Sequence, residues 1–152
     1  MGACTMSKHI LIVDDEALSV AGPKLELAKR GFVADIASTV DDARKLLATV
    51  AYDAVLLDLM LPLAALGEPK TDPPRAKHGA DLFRSIREGE FAEPAGTGVE
   101  VPVFVISALG AEAQDALDEC RRDFSPMDVF LKPLRSILIA ETMRLALEEC
   151  HA

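Results

Sequence analysis

Five polar residues stand at the ends of apolar runs, and their types belong together. Asp14 and Asp15 close "ILIVDD", Asp58 closes "AVLLD", Ser107 closes "VFVIS" and Lys132 follows "VFL". A carboxylate set in a buried run is costly unless something compensates it. Three of them gathered together raise one another's pKa until a cation joins them. A hard divalent ion suits such a set, and Mg²⁺ typically takes one or two carboxylates plus phosphate and water. A carboxylate held beside that ion can attack a phosphoryl group and form an acyl phosphate. Transfer of this kind needs positioning and charge neutralisation more than an acid or a base. The Lys132 ammonium would neutralise phosphoryl oxygens, and the Ser107 hydroxyl would donate a hydrogen bond to one.

Each residue has an ordinary reading. "DD" after a strand commonly caps the next helix, a lysine before proline is usually a solvated turn, and Asp58 or Ser107 could cap a turn or helix. Those readings would have to place unrelated polar features at the ends of four strands, which favours one shared site. His9, His78 and His151 are scattered, and His78, at a helix start, reads as a solvated loop residue.

The elements that must position these groups follow from hydrophobic period and punctuation. Ile10–Val13 is continuously apolar, the habit of a parallel strand covered on both faces. Helical spacing from Ala17 to Arg30 stops at Gly31, and Pro23 inside it should kink the helix or delay its start. "FVADIA" is a second strand, and a helix to Thr49 follows with Thr39 or Ser38 as N-cap. "YDAVLLD" is the third strand. Residues 62–77 hold four prolines and little periodicity, so they read as a long loop. "HGADLFRSIREG" is a helix, 90–100 a second irregular stretch, "VPVFVIS" a strand, 111–123 a helix and "MDVFL" the fifth strand. The last helix runs from about Leu134 to Cys150, with Ile139, Met143, Ala146, Leu147 and Cys150 on its core face.

Strict βα alternation predicts an α/β fold: one doubly wound, five-stranded parallel sheet with helices on both faces. Ligands bind such sheets at the carboxyl ends of the strands, where all five polar residues fall. The 152 residues suit a single domain over 1–152, with no internal repeat and no output domain expected in this chain. A formal net charge of −9 argues against direct nucleic-acid or anionic-membrane binding. Cys4, Cys120 and Cys150 have no metal spacing and point to a reducing, cytoplasmic setting. The start lacks a signal peptide, Gly2 lacks the rest of a myristoylation motif, and no run is long enough to span a membrane.

"ILIVDDE", "AVLLDLMLP", "VFVISA" and "VFLKP" resemble the receiver domain of two-component response regulators, over nearly the whole chain. The resemblance implies a flavodoxin-like sheet of order 2-1-3-4-5. It implies a phospho-acceptor at Asp58, Mg²⁺ bound by Asp14, Asp15 and Asp58, and the Met60 carbonyl as a further metal ligand. Ser107 and Lys132 match the family's hydroxyl and lysine. The implied partners are a histidine kinase or histidine phosphotransfer protein and a downstream protein target. The implied role is signalling rather than enzymatic turnover, with only self-directed phosphotransfer and autodephosphorylation.

Three features depart from the family pattern. Val129 stands where an aromatic switch residue is usual, with Phe130 next to it, and both irregular stretches are longer than usual. Met60 and Leu109 occupy the family positions that flank the attacking water. Both are apolar, which predicts a long-lived acyl phosphate. Two other functions fit parts of the pattern. A receiver fold acting as an unphosphorylated scaffold suits Val129 and the long loops. A haloacid-dehalogenase-like phosphatase also uses an aspartyl phosphate, Mg²⁺ and a lysine, but "VDDEA" lacks its DxDxT motif.

Overall fold

In a computed structural model of the chain, residues 8–64, 73–92 and 95–149 are described. Gly2, Cys4, Cys150 and His151 lie outside them, as do residues 65–72 of the first long loop. Strands β1 (His9–Val13), β2 (Val33–Ala37), β3 (Ala54–Asp58), β4 (Val103–Ser107) and β5 (Asp128–Leu131) alternate with helices α1 (Ala17–Lys29), α2 (Val40–Thr49), α3 (Ala76–Arg87), α4 (Ala111–Asp123) and α5 (Ser136–Glu149). All strand pairs are parallel and the order is β2-β1-β3-β4-β5. Every residue of β3 and β4 is buried, as continuous apolar runs require in a sheet covered on both faces.

The period of two along each strand divides the core. Leu11, Val13, Val55, Leu57, Val103 and Val105 face α2, α3 and α4. Ile10, Ile12, Leu56, Phe104, Ile106 and Phe130 face α1 and α5. Ile139, Met143 and Leu147 of α5 are buried as its stripe predicted, Ala140 joins them, and Ala146 packs partly buried at the edge.

Several local expectations need correction. α1 begins at Ala17 and runs through Pro23, so its start is not delayed. Pro23 is buried on the same face as Val20 and Leu27, and that packing offsets the lost backbone bond. α3 starts at Ala76, two residues before His78, and so shortens the long loop. That loop is closed at its base by an antiparallel bridge, with Arg75 N donating to Leu61 O at 3.1 Å and Leu61 N donating to Arg75 O at 3.4 Å. His78 is not simply solvated, because its Nδ1 lies 2.6 Å from the Leu61 carbonyl and fastens the same base. Thr39 is the cap of α2, its side chain accepting from Asp42 N. The second irregular stretch is pinned by Thr97, buried, which donates to Val50 O at 2.7 Å and accepts from Tyr52 N at 3.1 Å.

Candidate functional site

Parallel pairing in register brings the carboxyl ends of β1, β3, β4 and β5 to one edge. Asp14 follows the last residue of β1, whose Val13 is paired with Leu57 of β3. Asp58 ends β3 opposite Ile106, and Ser107 ends β4 opposite Leu131. Lys132 follows β5, and its N–H donates to Ser107 O at 3.0 Å, continuing the ladder one step past the strand.

The side chains meet. One carboxylate oxygen from each of Asp14, Asp15 and Asp58 lies within 4.8 Å of the other two. Lys132 Nζ donates to Asp58 Oδ2 at 2.9 Å, and Met60 N donates to Asp58 Oδ1 at 3.0 Å. Asp14 Oδ1 accepts from Glu16 N at 2.8 Å. Asp14 Oδ2 is buried and has no hydrogen-bond partner. Lys132 also reaches Glu16 Oε1, at 3.4 Å. Ser107 is buried and its hydroxyl donates to Ala108 O at 3.3 Å, so it must turn to serve a ligand.

The electrostatics follow from burial. Desolvation pushes Asp14 up to about 7, with the Asp58 and Asp15 charges adding to it and the Glu16 N–H and Lys132 drawing it back. Burial also raises Asp58, which its bonds to Lys132 and Met60 N only partly counter. Burial works against the Lys132 charge, but the hydrogen bond and charge of Asp58, with Asp14 and Glu16 behind them, hold the ammonium above its usual range. The site therefore carries more negative charge than its single lysine neutralises. An orphaned carboxylate oxygen beside two further carboxylates is a donor set that fits a hard divalent cation.

The structure places the remaining candidates around this centre. Met60 is half-buried beside Asp58, whereas Leu109 is 91% exposed and does not wall the site. Leu109 stands beyond the end of β4 and short of the first turn of α4, in solvent, so of the two apolar flanking positions only Met60 is packed against the protein. Val129 packs against the core on the α2–α4 side. Phe130 cannot stand in for the missing aromatic residue, because it faces the opposite side and stacks on Phe104 at 6.3 Å.

Several comparisons bear on this arrangement. No protein-family model matches the chain. It is 31% identical over 111 residues to the transcriptional regulatory protein QseB of Escherichia coli O157:H7, covering 73% of this chain and 39% of that protein. It is 26% identical over 137 residues to the transcriptional regulatory protein DltR of Streptococcus agalactiae, covering 90% of this chain and 50% of that one. The chain thus spans about half the length of such curated relatives. Among solved structures, the receiver domain of NtrX from Brucella abortus superposes with a TM-score of 0.66 at 25% identity, covering 91% of this chain and 98% of that one. A CheY-like receiver domain from Methanospirillum hungatei gives 0.68 at 17% identity, covering 95% and 96%.

This chain has the receiver fold of response regulators.

The receiver's alternation, sheet order and acidic cluster are those expected from its sequence. The relatives are response regulators, so neither the scaffold nor the phosphatase alternative is favoured. Among the described residues of the receiver, no helix is long and apolar enough to cross a membrane. Sequence reasoning missed Glu16, whose carboxylate shares Lys132. The only available signal was its place directly after the acid pair.

Proposed function

We propose that the receiver accepts a phosphoryl group on Asp58 and changes its interaction surface in response. The observation that carries this is the pairing of buried Asp58 with Lys132 at 2.9 Å, beside the orphaned oxygen of Asp14. A carboxylate oxygen of Asp58 attacks the phosphorus of a phosphohistidine, the P–N bond breaks, and the imidazole leaves with the electron pair and takes up a proton. Lys132 stays within reach of both the carboxylate and the incoming phosphoryl oxygens. Ser107 gives up its weak bond to Ala108 O and donates to a phosphoryl oxygen instead. Asp14, Asp15 and Asp58, with the Met60 carbonyl, would hold Mg²⁺, which when bound neutralises phosphoryl charge.

The donors are a histidine kinase or histidine phosphotransfer protein, and the output is a contact with a downstream protein. Loss of the phosphoryl group is self-directed hydrolysis, and no turnover of an external substrate is expected. The test is labelling with acetyl phosphate and Mg²⁺, with the site located by peptide mass spectrometry. Label on Asp58 that needs Mg²⁺ and vanishes in Asp58→Asn is the expected result. Undiminished label in that variant, or none in the parent under saturating donor and metal, would refute the assignment.

A further inference from the structure

α3 begins without a cap of its own. Its N-cap residue, Arg75, makes no side-chain cap bond, and its first turn carries no acid. The first amides of a helix have no partner within it and must find acceptors elsewhere. Glu112, in the first turn of α4, supplies one from 36 residues away: its Oε2 accepts from Ala76 N at 2.9 Å and from Arg75 Nε at 3.0 Å. The carboxylate thus lies at the N-terminal ends of two helices, where negative charge is favoured. The Arg75 hydrogen bond, with that of Ala76 N, holds its carboxyl below the usual range.

Both helices lead into the site. α4 follows Ser107 after Ala108, Leu109 and Gly110, and Gly110 takes φ 134°, a conformation that a side chain would hinder. The first turn of α3 sits on the acceptor side. Gly79 N donates to Leu59 O at 3.0 Å, and a Cβ on Gly79 would stand 2.4 Å from Leu59 Cα. Leu59 is the residue after Asp58. A second tie, Arg84 to Glu119 at 2.6 Å, holds the two helices together further along.

We propose that Glu112 is a positioning residue that joins the Ser107 arm of the site to the Asp58 arm. A shift of Ser107 toward a phosphoryl group is then carried through α4 into the first turn of α3 and the Leu61–Arg75 base of the long loop. The inference rests on the phospho-acceptor reading above. With Val129 in place of a ring, the link through Glu112 gives the hydroxyl's movement a route to the surface that needs no aromatic side chain.

Hydrogen exchange on the full chain, with and without Mg²⁺ and beryllofluoride as the phosphoryl mimic, tests this. Two segments decide it, residues 108–114 and 73–80. In the parent both should change on adding the mimic. In Glu112→Ala, 108–114 should still respond while 73–80 no longer does, and basal exchange at the start of α3 should quicken about fivefold, as for a lost helix cap. Glu112→Gln keeps an acceptor for Ala76 N and should retain the response, whereas Glu119→Ala, which cuts only the distal tie, should leave it intact. An equal response of 73–80 in parent and Glu112→Ala would overturn the inference. So would silence of 73–80 in the parent while 108–114 responds, or a Gln variant as silent as the Ala variant. Silence of both segments in the parent would instead strike the phospho-acceptor reading, and the coupling would fall with it.

Discussion

Replacing Asp14 with Asn should make the metal-free protein more stable while removing its response to Mg²⁺. Asp14 is fully buried, and one of its carboxylate oxygens has no hydrogen-bond partner. Leaving a buried polar group unsatisfied typically costs about 1–3 kcal/mol, and more when it is charged. Asn keeps the Oδ1 acceptor for Glu16 N and removes the charge that faces Asp58 and Asp15. A gain of about 1–3 kcal/mol corresponds to a rise in Tm of roughly 3–10 °C for a domain of this size. The gain depends on pH with a definite sign. The Asp14 pKa is raised from 3.8 to about 7 in the fold. Below about pH 4 the carboxyl is protonated in both states and costs the fold nothing. As the pH rises from there toward the folded value, the unfolded chain loses a proton that the folded one holds back, and stability falls until about pH 7. Melting parent and variant in chelator at pH 4 and pH 8 is the assay. The variant should melt higher at pH 8 and near the parent at pH 4, and Mg²⁺ should raise Tm only in the parent. A variant that melts at or below the parent at pH 8 would refute the argument that Asp14 is an uncompensated charge.

Three further outcomes follow from the geometry. Gly79→Ala sets a Cβ 2.4 Å from the Leu59 backbone, so it should lower stability by about 1–3 kcal/mol and slow acetyl-phosphate labelling; an unchanged Tm would mean that α3 is not seated there. Met60→Asn should shorten the lifetime of the phosphoprotein by roughly tenfold by helping to hold a water in line, whereas Leu109→Glu alone should do little because Leu109 is 91% exposed; equal effects in a dephosphorylation time course would contradict this. Shortening the loop between Pro62 and Pro74 should reduce transfer from the cognate kinase more than labelling by acetyl phosphate, and equal losses would remove the case for a partner-facing role.

Much of this was legible because it depends on local pattern. "ILIV", "AVLL" and "VFVI" are too continuously apolar for anything but buried strands, and their ends fell where the acids, the serine and the lysine stand. What escaped depends on distant partners. α3 begins two residues early because its cap is Glu112, which no window around Ala76 contains. Pro23 is tolerated because its ring is buried on the α1 face that packs toward α5, a tertiary fact that outweighs helix propensity. Leu109 looked like a wall from its type alone, but its exposure depends on how the chain leaves β4. His78 looked solvated because its acceptor, Leu61 O, lies across a long excursion.

The rung between Leu61 and Arg75, with Val40 N donating to Pro62 O and Asp41 N to Leu63 O, makes a closed stem of the segment after Asp58. Once such a stem is closed, doubling the length of chain it carries costs only about 0.6 kcal/mol of closure entropy. The closed stem thus makes the fold tolerant of added length in 65–72. A foreign peptide, a recognition motif or a fluorescent tag inserted in 65–72 would therefore sit only a few residues along the chain from Asp58, at small cost to the fold.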